Sequence, residues 1–212
     1  MSTRILVICG DAWHPAKDVQ RGLFPLQKSG FDFEFLENTA SQPVSDLTGF
    51  SMVVLAKANM NSAADQRPWM NADWERAFFD FVHGGGGLVI VHAGTSRYER
   101  LPMMHRLIGG AFLHHPASCF VTLEPVCSHP LTNDTEKFVV HDEHYFMAMA
   151  DSEAEIFLRS HSGHGTQPAG WTRVEGNGRL CVLTPGHSPE VWLHPQYQRL
   201  LLNVFRWTAK LN

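Results

Sequence analysis

The sequence has few of the features that define several common classes of protein. Its four cysteines are scattered with no Cys-x-x-Cys pair, and Cys9 and Cys181 lie in apolar runs, where a reduced cysteine behaves as a small hydrophobic residue. We therefore expect neither a disulfide nor a cysteine-based zinc site. Runs of Lys or Arg between aromatic residues are also missing, and the net charge is only −4. Nucleic acid is consequently not expected as a partner.

Long apolar runs and nucleotide-binding motifs are missing too. No apolar run is long enough to span a bilayer, and the first residues show no signal-peptide pattern, so we expect a cytoplasmic protein with no membrane partner. The glycine run 84–87 is not followed by a Lys-Ser/Thr pair, and it precedes a strand, whereas a dinucleotide fingerprint follows one. We therefore expect no nucleotide cofactor and interpret the run as a tight turn from a helix to a strand.

Apolar periodicity predicts a single domain over residues 1–212, since 44% hydrophobic content is enough for one sizeable core. Buried strands are predicted at Arg4–Cys9, Ser51–Ala56 and Leu88–Val91, and an edge strand at Phe31–Glu37. Further strands are predicted at Cys119–Glu124, Phe138–Val140, Ile156–Leu158, Ala169–Val174 and Arg179–Thr184. The last two are expected to form a hairpin at Gly176-Asn177-Gly178. The predicted helices cover Ala16–Lys28 up to a Gly30 cap, Asn71 to Gly84, Glu99–Ile108 and the region from Pro195. The fold class is a three-layer α/β sandwich with a mostly parallel sheet and an antiparallel addition near the C-terminus.

The central predicted strand ends at a histidine. Leu88–Val91 leads into His92, and small residues, Ala93 and Gly94, follow. A nucleophile elbow has this pattern, but the residue at the bend is neither Ser, Thr nor Cys. Because ligands of open α/β sheets bind beyond the carboxyl ends of the strands, a polar side chain at this point is where chemistry is expected.

Histidine is abundant, with 13 residues, and His14, His92 and His187 each follow closely on a predicted strand. Parallel strands would bring these three to one edge of the sheet. Neutral imidazoles with a carboxylate partner suit Zn or another divalent metal, so the set predicts a metal or acid-base site. The alternative is three loop histidines that cap turns and contact water.

A polar segment after Phe138–Val140 offers further site residues. If the strand ends at Val140, alternation places Asp142 and His144 on one side and His141 and Glu143 on the other, and either pair could serve a site. A solvated turn is the alternative, although the following Tyr145-Phe146 indicates partial burial. A buried carboxylate needs a histidine or metal partner. In the predicted loop Gly109–Pro116, only one of two adjacent histidines can face the site, and we select His115.

Several of these segments together resemble the trehalose-utilisation, ThuA-like family. The segments that carry the resemblance are Gly87–Thr95, Asp142–Tyr145, Pro168–Arg173, Gly176–Arg179 and, most specifically, Thr184–Trp192. The resemblance implies a flavodoxin-like sheet similar to that of class I glutamine amidotransferases, and bacterial carbohydrate metabolism with oxidised (3-keto) disaccharides or glucosides as substrates. In that wider fold the elbow holds a cysteine paired with a His-x-Glu segment. In this chain the spacing between His187 and Glu190 is one residue wider than in that segment. His92 stands in place of the thiol, which argues against acylation of a thiolate.

These observations support two main hypotheses. In the first, the protein is an enzyme with a small carbohydrate as partner, metal ligands His14, His92 and His187, and catalytic residues His92, His187, Glu143 and Asp142. The expected substrate-binding residues are Trp13, His115, His144, Tyr145 and Glu190. In the second, it is a non-catalytic sugar-binding or regulatory module on the same fold. A third reading, a cysteine hydrolase, would need Cys9 or Cys119 as nucleophile. The sequence leaves the oligomeric state open, a homo-oligomer included.

Overall fold

The computed structural model describes residues 2–39, 46–62, 64–126, 129–150 and 154–211. Its strands are Thr3–Cys9 (β1), Phe31–Leu36 (β2), Met52–Ala56 (β3), Gly87–Val91 (β4), Gly110–His114 (β5), Cys119–Pro125 (β6), Phe138–Asp142 (β7), Phe146–Met149 (β8), Glu155–Ser162 (β9), Gly165–Glu175 (β10) and Gly178–Leu183 (β11). Its α-helices are Ala16–Leu23 (α1), Ala72–His83 (α2), Pro102–Ile108 (α3), Pro189–Leu193 (α4) and Pro195–Thr208 (α5).

Nine strands form one sheet in the order β2-β1-β3-β4-β11-β10-β9-β6-β7. The first five strands pair in parallel, and the remaining four continue the sheet in antiparallel pairs. The predicted fold class is confirmed, as is the position of β2 at an edge. The hairpin between β10 and β11 is also confirmed, with Glu175 opposite Gly178 and Gly176 at a φ of 57°.

Alternate residues of the parallel strands bury two different faces. Val7, Val54 and Val89 belong to one apolar cluster with helices α1, α4 and α5, whereas Leu6 and Val53 belong to a second cluster with α2 and α3. Because both faces are covered, the central strands consist of nearly continuous apolar residues, as expected for a parallel sheet. The three-layer arrangement leaves only the ends of the strands free to form a site.

Two predicted helices have different bounds, and proline is the reason in both. The predicted helix Ala16–Lys28 is α-helical only to Leu23 and continues as a 3-10 turn to Ser29, because Pro25 lacks the N–H group that the next α-helical turn requires. The predicted helix Glu99–Ile108 begins at Pro102, since the residue before a proline is disfavoured in the helical conformation.

The segment Gly109–Pro116, predicted as a loop, contains a strand instead. Strand β5 pairs antiparallel with β8 in a separate two-stranded sheet, with Gly110 opposite Met149 and His114 opposite Phe146. The partner strand lies more than thirty residues further along the chain, so no local pattern indicates the pairing. This ribbon brings the residues after β5 and before β8 to the carboxyl edge of the main sheet.

Two predictions fall on residues outside the described ranges, namely the loop at Pro43 and the unpaired state of Cys127. None of the helices that the structure describes is long and apolar enough to cross a membrane.

Helix α5 begins at a histidine cap. The Nδ1 atom of His194 accepts a hydrogen bond from the N–H of Gln196 at 3.3 Å, which satisfies one of the free N–H groups of the first turn. Replacing His194 by alanine is expected to lower the free energy of unfolding by about 1 kcal/mol at pH 7.5, and asparagine should restore most of it. Urea unfolding of both variants measures the difference.

The same cap predicts a pH dependence. Burial lowers the pKa of His194 in the folded protein below the value of about 6.5 that it has when unfolded. The unfolded chain therefore binds more protons, and the stability from this group is present above about pH 6.5 and is lost as the pH falls. The wild-type protein should lose more stability between pH 7.5 and 5.5 than the His194→Asn variant. Equal losses would contradict the proposed cap.

Candidate functional site

The carboxyl ends of β1, β4 and β11 bring three histidines together. His14, His92 and His187 follow these strands, and the ring centroids are 4.9 Å apart for His14 and His92, 5.2 Å for His14 and His187, and 5.6 Å for His92 and His187. His14 and His92 are buried, and His187 is partly exposed. The parallel order of the strands thus places the three residues at one edge of the sheet.

His92 lies at a tight elbow immediately after β4. Its backbone has a φ of 48°, in the left-handed region that non-glycine residues seldom occupy. Two residues later the chain passes so close to β3 that a Cβ atom on Gly94 would lie 2.1 Å from the Leu55 carbonyl oxygen. A non-glycine residue held at positive φ in a packed turn is typical of a functional position.

A hydrogen bond sets the tautomer of His92. Its Nδ1 atom lies 2.7 Å from the carbonyl oxygen of Thr184, which can only accept, so Nδ1 carries the proton. Burial lowers the pKa of His92 and outweighs the opposing effects of Glu143 and Asp142, so the ring is neutral. The unprotonated Nε2 atom therefore faces the site with its lone pair free.

Asp11 orients His14 in the same way. Its buried carboxylate accepts hydrogen bonds from the N–H groups of Trp13 and His14 and, at 2.8 Å, from Nδ1 of His14; its other oxygen accepts from the Ala58 N–H. Burial raises the pKa of Asp11, but the His14 interaction and the backbone donors outweigh it and lower the pKa to about 2. Nε2 of His14 is left without a partner. Sequence reasoning missed Asp11, although a carboxylate three residues before a site histidine was the available signal.

Glu143 lies between the histidines. Its Oε2 atom is 3.3 Å from Nε2 of His92, 3.3 Å from Nδ1 of His187 and 3.6 Å from Nε2 of His115. Partial burial raises the pKa of Glu143, but the neighbouring imidazoles of His187 and His92 outweigh burial and lower it, so the carboxylate stays ionised. The carboxylate of Glu143 beside His187 raises the pKa of that imidazole.

Asp142 binds the backbone of the loop that follows β11. Its two oxygens accept hydrogen bonds from the N–H groups of Gly186 and His187 at 3.0 and 3.1 Å. The carboxylate is buried, and burial raises its pKa despite these donors and the nearby His92. Asp142 thus holds the loop that carries His187, and its contacts are with the backbone of that loop.

The four side chains fit a divalent metal ion. One ligand atom from each of His14, His92, Glu143 and His187 can be chosen so that all four lie within 4.8 Å of one another. The buried nitrogens of the three histidines that face this space form no hydrogen bond. Leaving three buried imidazole nitrogens unsatisfied is unfavourable, and a metal ion would satisfy them together. Three nitrogens and one carboxylate oxygen are a donor set typical of zinc and similar ions.

A cavity of about 520 Å³ opens onto this cluster. His14, Glu143 and Tyr145 line it, and Tyr145 stacks on His92 with ring centroids 4.1 Å apart. Trp13 lies at the wall with 55% of its surface exposed. The remaining lining residues are Ala58, Ser96, Arg97, Glu99, Phe112 and His115. Sequence reasoning did not identify Arg97 or Glu99, because neither belongs to a recognisable motif.

Two predicted site residues lie elsewhere. Strand β7 ends at Asp142, two residues later than predicted. The expected alternation of side chains therefore does not continue through the bend, and Asp142 and Glu143 serve the site together. His144 turns away and contacts Ser162 and Ser160 at 2.7 and 2.9 Å. Glu190 is exposed in the first turn of α4 and does not line the cavity.

The structure does not support the hypothesis of a cysteine hydrolase. Cys9 is buried, and burial raises the pKa of its thiol to about 12, so it is protonated at neutral pH and a poor nucleophile. Cys119 lies on β6 opposite Asp142, and it does not line the cavity.

Sheet order and elbow together define an α/β protein with a glutamine amidotransferase-like fold in which a histidine occupies the elbow. The chain belongs to the ThuA family, described as trehalose utilisation, whose sequence profile matches residues 4–208. Among curated proteins, none matches this sequence.

Several solved structures are similar to the chain in fold. A ThuA-like protein from Parabacteroides merdae superposes with a TM-score of 0.80 at 19% identity, covering 99% of this chain and 90% of that one. A cytoplasmic protein from Salmonella typhimurium LT2 has a TM-score of 0.73 at 13% identity, covering 97% and 99% of the two chains. A glutamine amidotransferase from Thermotoga maritima has a TM-score of 0.62 at 11% identity, covering 99% of both. These likenesses show a common fold.

Proposed function

We propose that the protein is a divalent-metal-dependent enzyme that acts on an oxidised (3-keto) disaccharide or glucoside. The observation that carries the proposal is the convergence of three unpartnered histidine nitrogens with Glu143, next to a cavity that His14 and Glu143 line. Membership of a family described as trehalose utilisation supports a carbohydrate as substrate. A volume of about 520 Å³ falls within the range of ordinary small-molecule sites.

The residues around the cavity supply binding and proton transfer. A bound divalent ion would polarise a sugar carbonyl or lower the pKa of a water molecule. His115 is placed to move a proton, because Nδ1 lies 2.8 Å from the Pro116 carbonyl oxygen and so carries the hydrogen, which leaves Nε2 as acceptor beside Glu143. Burial raises the pKa of Tyr145, so its phenol remains a hydrogen-bond donor. These groups suit enolisation or cleavage next to a carbonyl.

Metal content tests the first half of the proposal. Protein purified without a histidine tag, stripped with a chelator and reloaded is expected to bind about one equivalent of Zn²⁺ or a similar ion. Failure to bind any transition metal would remove the metal-dependent mechanism and leave a bare acid-base site.

A substrate panel tests the second half. Matched 3-keto and unmodified disaccharides should be incubated with stripped and reloaded protein. Turnover only of keto-sugars, and only after reloading, is the expected result. Equal turnover of the unmodified sugars would contradict the proposed substrate class.

The second candidate function is a non-catalytic sugar-binding module. The exposed indole of Trp13 at the cavity wall favours it, since aromatic rings can stack on the apolar face of a sugar. Such a module would bind sugars from the panel without converting them.

A further inference from the structure

Lys57 is a fully buried lysine that the proposed mechanism does not use. It follows β3 directly, and only 1% of its surface is exposed. Its ammonium group donates to the carbonyl oxygens of Gly10, Glu37 and Asn61. In the part of the chain that the structure describes, no carboxylate forms an ion pair with it. A buried ammonium bonded to backbone alone is costly, and an apolar side chain such as methionine would fill similar space without that cost.

The carbonyl groups that Lys57 binds belong to the edge of the sheet where the site lies. Gly10 follows β1, Glu37 follows β2, and Asn61 lies in the connection after β3. Gly10 has a φ of 86° and immediately precedes Asp11, the residue that orients His14. Lys57 therefore ties the loop of Asp11 to the two neighbouring connections.

The surroundings of Lys57 are themselves held in place. Its own carbonyl oxygen accepts a hydrogen bond from the Tyr98 hydroxyl at 2.8 Å, and that hydroxyl accepts one from the Trp69 indole at 3.2 Å. The next residue, Ala58, donates its N–H at 2.9 Å to Oδ2 of Asp11, while Oδ1 of Asp11 contacts His14. Two contacts thus hold the loop: the Lys57 ammonium donates to the carbonyl oxygen of Gly10, and the N–H of Ala58 donates to the carboxylate of Asp11.

We propose that Lys57 is a positioning residue, which fixes the loop 10–14 so that Asp11 keeps His14 in the tautomer that presents Nε2 to the metal site. The inference rests on the proposed function, because it assigns the residue to the metal centre. Lys57 acts through Gly10 and Asp11, and its side-chain contacts do not include the cavity. The expected consequence is a loss of metal affinity on removal of the ammonium, with the remainder of the fold retained.

The test compares Lys57→Met with Lys210→Met. Lys210 is the control, an exposed lysine whose ammonium also bridges two backbone carbonyls, those of Gly85 and Asn177, near the glycine turn that precedes β4. Zn²⁺ affinity is measured by chelator competition, and the His14 tautomer in metal-free protein by ¹⁵N NMR of the imidazole nitrogens. We expect Lys57→Met to lower the affinity roughly 10- to 100-fold, as loss of an orienting partner does, and to mix the His14 tautomers. Lys210→Met should change neither.

If wild-type protein binds no Zn²⁺, the proposed function fails, while the His14 tautomer of the metal-free variants still reports on positioning. An unchanged tautomer together with unchanged affinity in Lys57→Met overturns the inference. Lys57→Gln, which is neutral and shorter, is the second variant; if neither variant folds, Lys57 stabilises the whole domain and a local role is overturned.

Discussion

Replacing His92 by asparagine is expected to reduce turnover of the keto-sugar substrate by at least about 1,000-fold, because the imidazole is both a metal ligand and part of the acid-base set. Asparagine is the suitable replacement, since it tolerates the left-handed backbone found at this position. Sugar binding should change by only a few-fold, because Trp13 and the rest of the cavity wall remain.

The same variant separates the enzyme from the binding module. An enzyme loses turnover and retains sugar affinity, whereas a module has no turnover to lose and only weakens in binding. His114→Ala is the matched control: His114 precedes His115 but stacks on Phe146, with ring centroids 4.7 Å apart, and does not line the cavity. If His92→Asn turns over substrate at the wild-type rate, the assignment of the catalytic site is wrong.

Replacing His14 by alanine is expected to lower Zn²⁺ affinity by roughly 100-fold or more, and Asp11→Asn by about 10- to 100-fold. The alanine removes a ligand nitrogen. The asparagine keeps the size of the side chain but removes the charge of the group that contacts Nδ1 of His14. Titration with a competing chelator measures both. An effect of Asp11→Asn on folding alone, with unchanged affinity, would show that the aspartate stabilises the loop without tuning the ligand.

Periodicity and turn signals in the sequence were sufficient for the fold class, for most of the main sheet and for part of the site. The buried strands, the edge strand and the hairpin at Gly176-Asn177-Gly178 follow from local patterns, because a strand covered on both faces must be apolar along its length. Parallel strands share a carboxyl edge, so histidines that follow strands were expected to meet. The structure places His14, His92 and His187 together at that edge.

The remaining features depend on contacts between distant parts of the chain. Strand β5 exists only through pairing with β8, and that pairing brings His115 to the cavity. A carbonyl 92 residues away, at Thr184, sets the tautomer of His92.

Side-chain direction in the bend after β7 was likewise decided by tertiary contacts. Period-two alternation ends where the strand ends, and beyond that point each side chain turns toward the partner that satisfies it. Glu143 turns to the histidines and His144 to two serines of β9. The residue types available for chemistry were thus determined by the sequence alone. Only the tertiary structure selected among them, because hydrogen-bond and charge partners of buried polar groups come from strands far apart in the chain.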